Sequence, residues 1–341
     1  MNIKKVYYHA NCVDGLFSAS LFANCLDVHP DNLVGLYHNS KEHTEAEIGE
    51  GIIYCDISPH PSRYDEVVEN GKTIILDHHK SAAEIFHRLK EKNPDNLSKY
   101  SDAAGISGSS LTYEFVQKYW TPKYEKRFDA SLIPTYVKAI GARDTFDKSD
   151  IGVFNMGSEM GEIIRILKTK LFTESGFEIF QNMCHAGFGE FLRKNYLEYI
   201  SGFYDKNSYV LRKFCPTRKL DFIVEMFYVA EINVTSDLMD VIISRGHENA
   251  ILVGVKSVID EGVEKFICSM RSKKFNVRKC AESFGGGGHD LAAGFTISFQ
   301  EVKRAFFNLD NGLENLSSLE MITWITSDFF KQELKNNEAT T

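Results

Sequence analysis

A strand-like run that ends in one acid and two imidazoles constrains this chain more than any other feature. The apolar run Thr73-Ile74-Ile75 predicts a buried strand, and Ser81-Ala82-Ala83 predicts the start of a helix. Between them lies Leu76-Asp77-His78-His79-Lys80. In open α/β sheets ligands bind outside the carboxyl ends of strands, so this position favours a functional site. Asp and His together hold a hard or borderline divalent metal, and a second His can donate a proton or contact phosphate.

A structural interpretation competes with the metal site. Taken alone, an Asp and a His at this position are more often helix caps than metal ligands. A short motif by itself is therefore only a hypothesis. The ends of other predicted strands favour the metal site over the helix caps. A strand predicted over 5–8 leads into His9 and Asp14, a second is predicted over 33–37, and a third over 51–55 leads into Asp56. Three strands that end in acidic or imidazole groups on one sheet edge predict a composite metal site.

Two further residues follow a helix predicted over 130–142. Asp144 is a fourth acidic candidate, and the planar guanidinium of Arg143 suits a catalytic contact with phosphate. A solvated helix end with a local Arg–Asp pair explains both residues equally well. From Met156 to Leu211 the pattern is helical, and its aromatic stripe predicts packing rather than base stacking.

A glycine run marks the C-terminal part of the chain, where strand patterns return. Consecutive glycines can expose backbone N–H groups to an anion without an obstructing Cβ. The run is not G-x-x-x-x-G-K-[ST], so it does not predict an NTPase. A structural turn is the alternative, but His289 and the neighbouring Arg271 favour an anion site around Phe284-Gly285-Gly286-Gly287-Gly288-His289.

Length and composition narrow the classes of function. The 341 residues predict two domains, and a net charge of −8 gives no large basic field for long duplex nucleic acid. Seven scattered cysteines without a C-x-x-C predict neither a zinc site nor a disulfide framework. No apolar run is long enough to span a membrane, and the N-terminus does not resemble a signal peptide. We therefore expect a cytoplasmic protein without a membrane partner.

In combination, these motifs resemble the DHH–DHHA1 phosphoesterase family over about residues 4–297. The resemblance implies an α/β fold with an N-terminal DHH domain on a mainly parallel sheet, a helical connector and a smaller C-terminal α/β DHHA1 domain. We expect the DHH domain at 1–185, the connector at 186–218, the DHHA1 domain at 219–310 and a helical tail at 311–341. The tail either packs on the domain or forms a homodimer contact.

The resemblance also implies two divalent metals, usually Mn²⁺, with Mg²⁺ or Co²⁺ as alternatives. Asp56 would bridge the metals, His9 would bind one, and the other would be bound by Asp14, His78 and Asp144. Asp77 would orient His78, and His79 would contact the scissile phosphate or protonate the leaving oxygen. A terminal phosphate or the nucleotide backbone would be bound by Arg271, Gly286, Gly287, Gly288, His289 and Asn233.

The first motif departs from the family pattern. Relatives commonly carry two aspartates there, whereas this chain has Asp14 alone, with Asn11 and Cys12 nearby. Asn is a weaker, neutral ligand, and Cys favours a softer metal than Mn²⁺. The first metal site is accordingly expected to be weak, differently built or filled only with substrate.

The expected function is hydrolysis of short oligonucleotides or dinucleotides to mononucleotides by a metal-bound hydroxide. The acidic charge balance and modest length favour short substrates. The alternatives are a polyphosphatase or another small-molecule phosphoesterase, a RecJ-type single-strand exonuclease, or a nucleotide-binding protein whose catalysis is weakened by the altered first motif.

Overall fold

The computed structural model describes residues 2–10, 12–120, 127–212, 225–229, 235–260 and 262–307, together with 322, 325–326 and 329–330. The chain forms two compact units, Met1–Asn195 and Tyr196–Thr341. The division falls inside one long helix, Phe188–Arg212. The finer domain boundaries expected from the sequence stay a prediction.

The first unit is built on a parallel five-stranded sheet. Its strands are β1 (Lys5–His9), β2 (Leu33–Leu36), β3 (Ile52–Cys55), β4 (Ile74–Asp77) and β5 (Lys99–Tyr100). Their spatial order is β2-β1-β3-β4-β5, and every pair is parallel. All residues of β3 and β4 are buried, as expected for parallel strands with both faces covered.

Helices cover this sheet. They are α1 (Val13–Leu26), α2 (Lys41–Glu45), α3 (Tyr64–Asn70), α4 (Ala83–Lys92), α5 (Gly108–Tyr119), α6 (Ile133–Asp144), α7 (Ile151–Leu167), α8 (Glu174–His185) and α9 (Phe188–Arg212). Phe17 and Phe22 of α1 pack on Phe180 of α8 and Phe115 of α5, and all four rings are buried. Each such burial contributes about 1.5–3 kcal/mol to folding. This core fixes α1, and with it the polar residues at its start.

The pairing register aligns the strand ends that carry the site. Tyr8 of β1 pairs with Cys55 of β3, and Cys55 pairs with Leu76 of β4. The next residues along these strands are His9, Asp56 and Asp77, which therefore stand side by side at the carboxyl edge. The register alone brings together three of the predicted site residues.

The second unit contains a mixed sheet in the order β6-β7-β8-β10-β9. Its strands are β6 (Glu225–Val229), β7 (Ala250–Asp260), β8 (Val263–Ser272), β9 (Gly287–His289) and β10 (Ala292–Ser298), with helices α10 (Thr235–Ser244), α11 (Val277–Ser283) and α12 (Phe299–Phe307). Only β6 and β7 pair in parallel. The predicted α/β class is confirmed. Among the described residues, no helix has the length and apolar character needed to cross a membrane.

Candidate metal centre

Asp56 lies at the centre of the edge formed by the strand ends of the first unit. Its carboxylate oxygens lie 3.5 Å from Nδ1 of His9, 3.2 Å from Nε2 of His78 and 4.0 Å from Nδ1 of His79. The side chain is fully buried. Neither oxygen accepts a hydrogen bond of good geometry from the part of the chain that the structure describes.

The burial of a carboxylate without hydrogen bonds is expensive unless a cation compensates for it. The side chains around Asp56 are of types that bind metals. His9 and Cys12 offer ligand atoms within 4.8 Å of Asp56 and of each other. The site therefore fits a divalent metal at Asp56. The same position fits the bridging role expected for this residue.

A second group of ligand-type side chains adjoins the first. Asp14, His78 and Asp144 offer three donor atoms within 4.8 Å of one another. Nε2 of His78 lies 3.2 Å from Asp144, the same distance that separates it from Asp56. The structure thus brings together the second ligand set expected from the sequence, next to the first.

Asp14 is held in place by the start of α5. The Ser107 hydroxyl donates to Asp14 at 2.7 Å, and the Ser109 backbone N–H lies 3.1 and 3.2 Å from its two oxygens. Gly108, between these serines, lies so close that an added Cβ would stand 2.5 Å from Cβ of Asp56. The N-terminus of α5 therefore positions two of the acidic groups at once.

The buried acids and imidazoles of this centre shift the pKa values of one another. Burial raises the pKa of Asp14 well above its usual value, and the negative charges of Asp56 and Asp144 add to the effect. Burial would likewise raise the pKa of Asp56, but the facing rings of His78 and His9 outweigh it and hold that pKa well below its usual value. Burial opposes protonation of His78, yet Asp56 and Asp144 raise its pKa to about 10. The dense grouping of carboxylates and imidazoles causes these opposite shifts.

Asp77 is paired with His79. One Asp77 oxygen accepts from the His79 ring Nδ1 at 2.7 Å and from the His79 backbone N–H at 3.1 Å, and the other accepts from the Ser58 hydroxyl at 2.7 Å. The sequence predicted that Asp77 would orient His78. The pairing differs because His79 turns back over the end of β4, whereas His78 points to Asp56 and Asp144.

Arg143 lies against two aromatic rings. Its guanidinium lies 4.8 Å from the ring centre of Phe146 and 5.3 Å from that of Phe154. Stacking on aromatic faces is a common environment for arginine, since the guanidinium is planar and weakly hydrated. The catalytic contact of Arg143 with phosphate stays a prediction.

The glycine run of the second unit is built differently from the expectation. The N–H groups of Gly285 and Gly286 donate to the carbonyls of Glu282 and Ala281, at the end of α11. Gly287–His289 form β9, which pairs with β10 at the margin of the sheet. The run therefore ends a helix and starts a strand, and the expectation of four consecutive exposed N–H groups was wrong for its first two members.

Arg271 is held in a fixed orientation in the same unit. Its Nε donates to Ser236 at 2.9 Å, and Nη1 donates to Ser269 at 3.1 Å and to the Met270 carbonyl at 2.8 Å. Ala292 of β10 pairs with Arg271 on one side and with His289 on the other. The predicted anion-binding residues Arg271 and His289 thus lie on two strands that flank β10, while Asn233 lies outside the described residues.

Comparison with known families identifies one domain of the chain. Residues 223–311 match the model of the DHHA1 domain. The match covers most of the second unit, and it confirms the DHHA1 part of the prediction from the sequence. In the first unit, the sequence Asp77-His78-His79 at the end of β4 has the spelling of the predicted DHH motif.

Solved structures similar to this chain share little of its sequence. A pGpG-specific phosphodiesterase, PggH, from Vibrio cholerae is 14% identical over 90% of this chain and 97% of its own, with a TM-score of 0.43. RecJ from Thermus thermophilus, in complex with Mn²⁺, is 15% identical over 95% of this chain and 52% of its own, with a TM-score of 0.46. An exopolyphosphatase-related protein from Bacteroides fragilis is 14% identical over 97% of this chain and 94% of its own, with a TM-score of 0.45. No curated protein matches the chain in sequence.

Sequence reasoning missed several residues of the candidate metal centre. Ser58, Ser107 and Ser109 hold the acidic side chains, and His38 lies beside His9 with ring centres 4.7 Å apart. His38 follows the predicted strand over 33–37, so the strand-end rule that found His9 could also have found it. The serines carry no such signal, because their roles depend on contacts between distant parts of the chain.

Proposed function

We propose that this protein is a metal-dependent phosphodiesterase that hydrolyses short oligonucleotides or dinucleotides to mononucleotides. The observation that supports the proposal most is the buried Asp56 carboxylate, which lies between two groups of ligand-type side chains and lacks hydrogen bonds from the described residues. His9 and Asp56 would hold one metal. Asp14, His78, Asp144 and Asp56 would hold the other.

When bound, two divalent metals supply a nucleophilic water at neutral pH and neutralise charge on the phosphoryl group. Mn²⁺ suits the carboxylate-rich second group, since carboxylates favour hard metals. The chain contributes fixed geometry to this chemistry. Ser107 and Ser109 orient Asp14, and the aligned ends of β1, β3 and β4 place the remaining ligands.

His79 is proposed as the proton donor to the leaving oxygen. The Nδ1–H group of His79 donates to the Asp77 carboxylate at an N···O distance of 2.7 Å. Nε2 is therefore the ring atom that can deliver a proton to the substrate. Burial opposes protonation of His79, but the charge of Asp77 outweighs it and raises the pKa of His79. A raised pKa favours the protonated ring that a general acid requires.

His79→Gln tests this role through the leaving group. With an oligonucleotide, whose ribose leaving oxygen needs a proton, we expect kcat to fall about 100- to 10,000-fold, the usual contribution of a general acid. With a p-nitrophenyl ester, which leaves as a stable anion, we expect a much smaller loss. Steady-state kinetics on both substrates provide the measurement, and an equal loss on both would contradict the assignment.

Arg271 is proposed to bind a phosphate of the substrate. Its serine and carbonyl contacts set the guanidinium plane, and a planar fork suits a phosphate better than a point charge does. We expect Arg271→Ala to raise KM about 10- to 100-fold with little change in kcat, as a charged hydrogen bond contributes about 1.5–3 kcal/mol. Arg278→Ala, which removes an α11 side chain paired with Asp290 and Glu282, is the matched control and should leave KM unchanged. A fall in kcat alone would contradict a binding role.

Hydrolysis of bis(p-nitrophenyl) phosphate tests the reaction class. Protein stripped with EDTA should show no turnover, and added Mn²⁺ should restore it. Hydrolysis of inorganic polyphosphate in place of the diester would instead support the polyphosphatase alternative.

The net charge of −8 favours a short nucleic-acid substrate over a long one, because each phosphate bound far from the metals requires its own cationic partner.

A further inference from the structure

We propose, on the basis of the metal centre in the proposed function, that His38 is an additional metal ligand that binds the same ion as His9. The ligand set expected from the sequence does not include His38. It occupies the mouth of the centre, where its side chain is exposed to solvent.

The sheet register places His38 beside His9. In the β1–β2 pair, His9 stands opposite Leu36, the last residue of β2. His38 follows two residues later at the same carboxyl edge. The ring centres of His9 and His38 are 4.7 Å apart, and each lies 5.9 Å from the ring centre of His79.

The nitrogen atoms are close enough for a shared ion. His9, His38 and His79 each offer a ring nitrogen, and these atoms lie within 4.8 Å of one another. Donors that bind one ion at about 2.0–2.1 Å stand roughly 3–4 Å apart, so small side-chain rotations complete the geometry. His79 is held at Nδ1 by Asp77 and keeps the role proposed above.

The loop that carries His38 is anchored to the centre. The Asn39 N–H donates to Nδ1 of His43 at 3.2 Å, so the His43 proton resides on Nε2, which donates to the Ser58 carbonyl at 2.8 Å. Burial lowers the pKa of His43 and favours the neutral ring that this arrangement needs. Ser58 in turn donates to Asp77. His38 is therefore preorganised relative to the metal ligands.

An imidazole here would compensate for the altered first motif. That motif has Asp14 as its single aspartate, with Asn11 and Cys12 nearby. With His9 and His38, the first metal position would have two imidazoles, of which His9 lies 3.5 Å from the Asp56 carboxylate. Imidazole favours Zn²⁺, Fe²⁺ and related borderline ions, whereas carboxylates favour Mg²⁺ and Mn²⁺. The first position should accordingly prefer Co²⁺ over Mn²⁺ by a wider margin than the carboxylate-rich second position does.

Titration of the metal-free, full-length protein with Co²⁺ tests this ligand. Visible absorption reports the coordination geometry and the donor set of bound Co²⁺, and calorimetry reports stoichiometry and affinity, both without any turnover. We expect two Co²⁺ per wild-type chain. In His38→Ala, one ion should stay bound as before, while the other loses at least about 10-fold in affinity and its absorption bands shift.

Two further variants make the result specific. His60→Ala removes an imidazole that lies against the ring of His43, with ring centres 5.4 Å apart, and whose Nδ1 contacts Ser62. This variant should bind Co²⁺ like the wild type. His38→Asp should restore the second ion but move its preference from Co²⁺ toward Mn²⁺. Two unchanged ions in His38→Ala would overturn the inference while leaving the proposed metal centre intact. A wild-type chain that binds no Co²⁺ and no Mn²⁺ would overturn both.

Discussion

Asp56→Asn should abolish metal-dependent hydrolysis while leaving the fold intact. Asp56 lies against both ligand groups, so loss of its charge should weaken both metals. The metals supply several kcal/mol of charge stabilisation in such sites, so we expect kcat/KM to fall about 1,000-fold or more. We also expect the rise in Tm that Mn²⁺ produces in the wild type to disappear, because an ion that no longer binds cannot stabilise the folded state.

The choice of asparagine makes this experiment a test of charge. Asp56 has a left-handed backbone with φ of 57°, a conformation that Asn adopts almost as readily as Asp and that Ala disfavours. Asp31→Asn is the control, since Asp31 carries an exposed carboxylate with 88% side-chain exposure on the same unit. Retention of activity and of the Mn²⁺-dependent Tm shift in Asp56→Asn would contradict the assigned centre.

Gly108→Ala should damage the centre without altering a ligand. An added Cβ would lie 2.5 Å from Cβ of Asp56 and 2.8 Å from both Cα of Asp56 and an oxygen of Asp14. These distances are well below the van der Waals contact distance, and the backbone of a buried strand end cannot easily move away. We expect a loss of about 1–3 kcal/mol in the free energy of unfolding and a fall of about 100-fold in activity.

Gly202→Ala is the matched control for this substitution. Gly202 lies in α9, and outside the backbone of this helix an added Cβ would meet no atom of the described residues within 4 Å. Alanine should raise the free energy of unfolding by roughly 0.5–1 kcal/mol through helix propensity and leave activity unchanged. Chemical denaturation and steady-state kinetics on both variants provide the comparison. Full activity in Gly108→Ala would show that the α5 start does not position the acids.

The clustering of the acids and imidazoles could be predicted because it follows from sheet geometry. Parallel strands align their carboxyl ends, and the pairs Tyr8–Cys55 and Cys55–Leu76 realise that alignment. Only the recognition of short apolar strands was needed for this prediction. The ligand roles themselves were carried over by family resemblance and stay predictions.

The remaining features depend on tertiary contacts that no local pattern reveals. Ser107 reaches Asp14 across 93 positions of sequence, and the rings of Phe146 and Phe154 determine where Arg143 lies. The prediction of exposed N–H groups in the glycine run was partly wrong for a related reason. An exposed N–H was inferred from the absence of side chains, whereas the end of α11 uses the N–H groups of Gly285 and Gly286.

Turnover of labelled RNA and DNA from two to about ten nucleotides, with Mn²⁺ and beside the Asp56→Asn variant, tests the central claim most directly. The account predicts release of mononucleotides, fastest for the shortest substrates and lost in the variant. Equal rates on the longer DNA would instead indicate a RecJ-type exonuclease. Absence of turnover on every oligonucleotide would contradict the proposed nuclease activity.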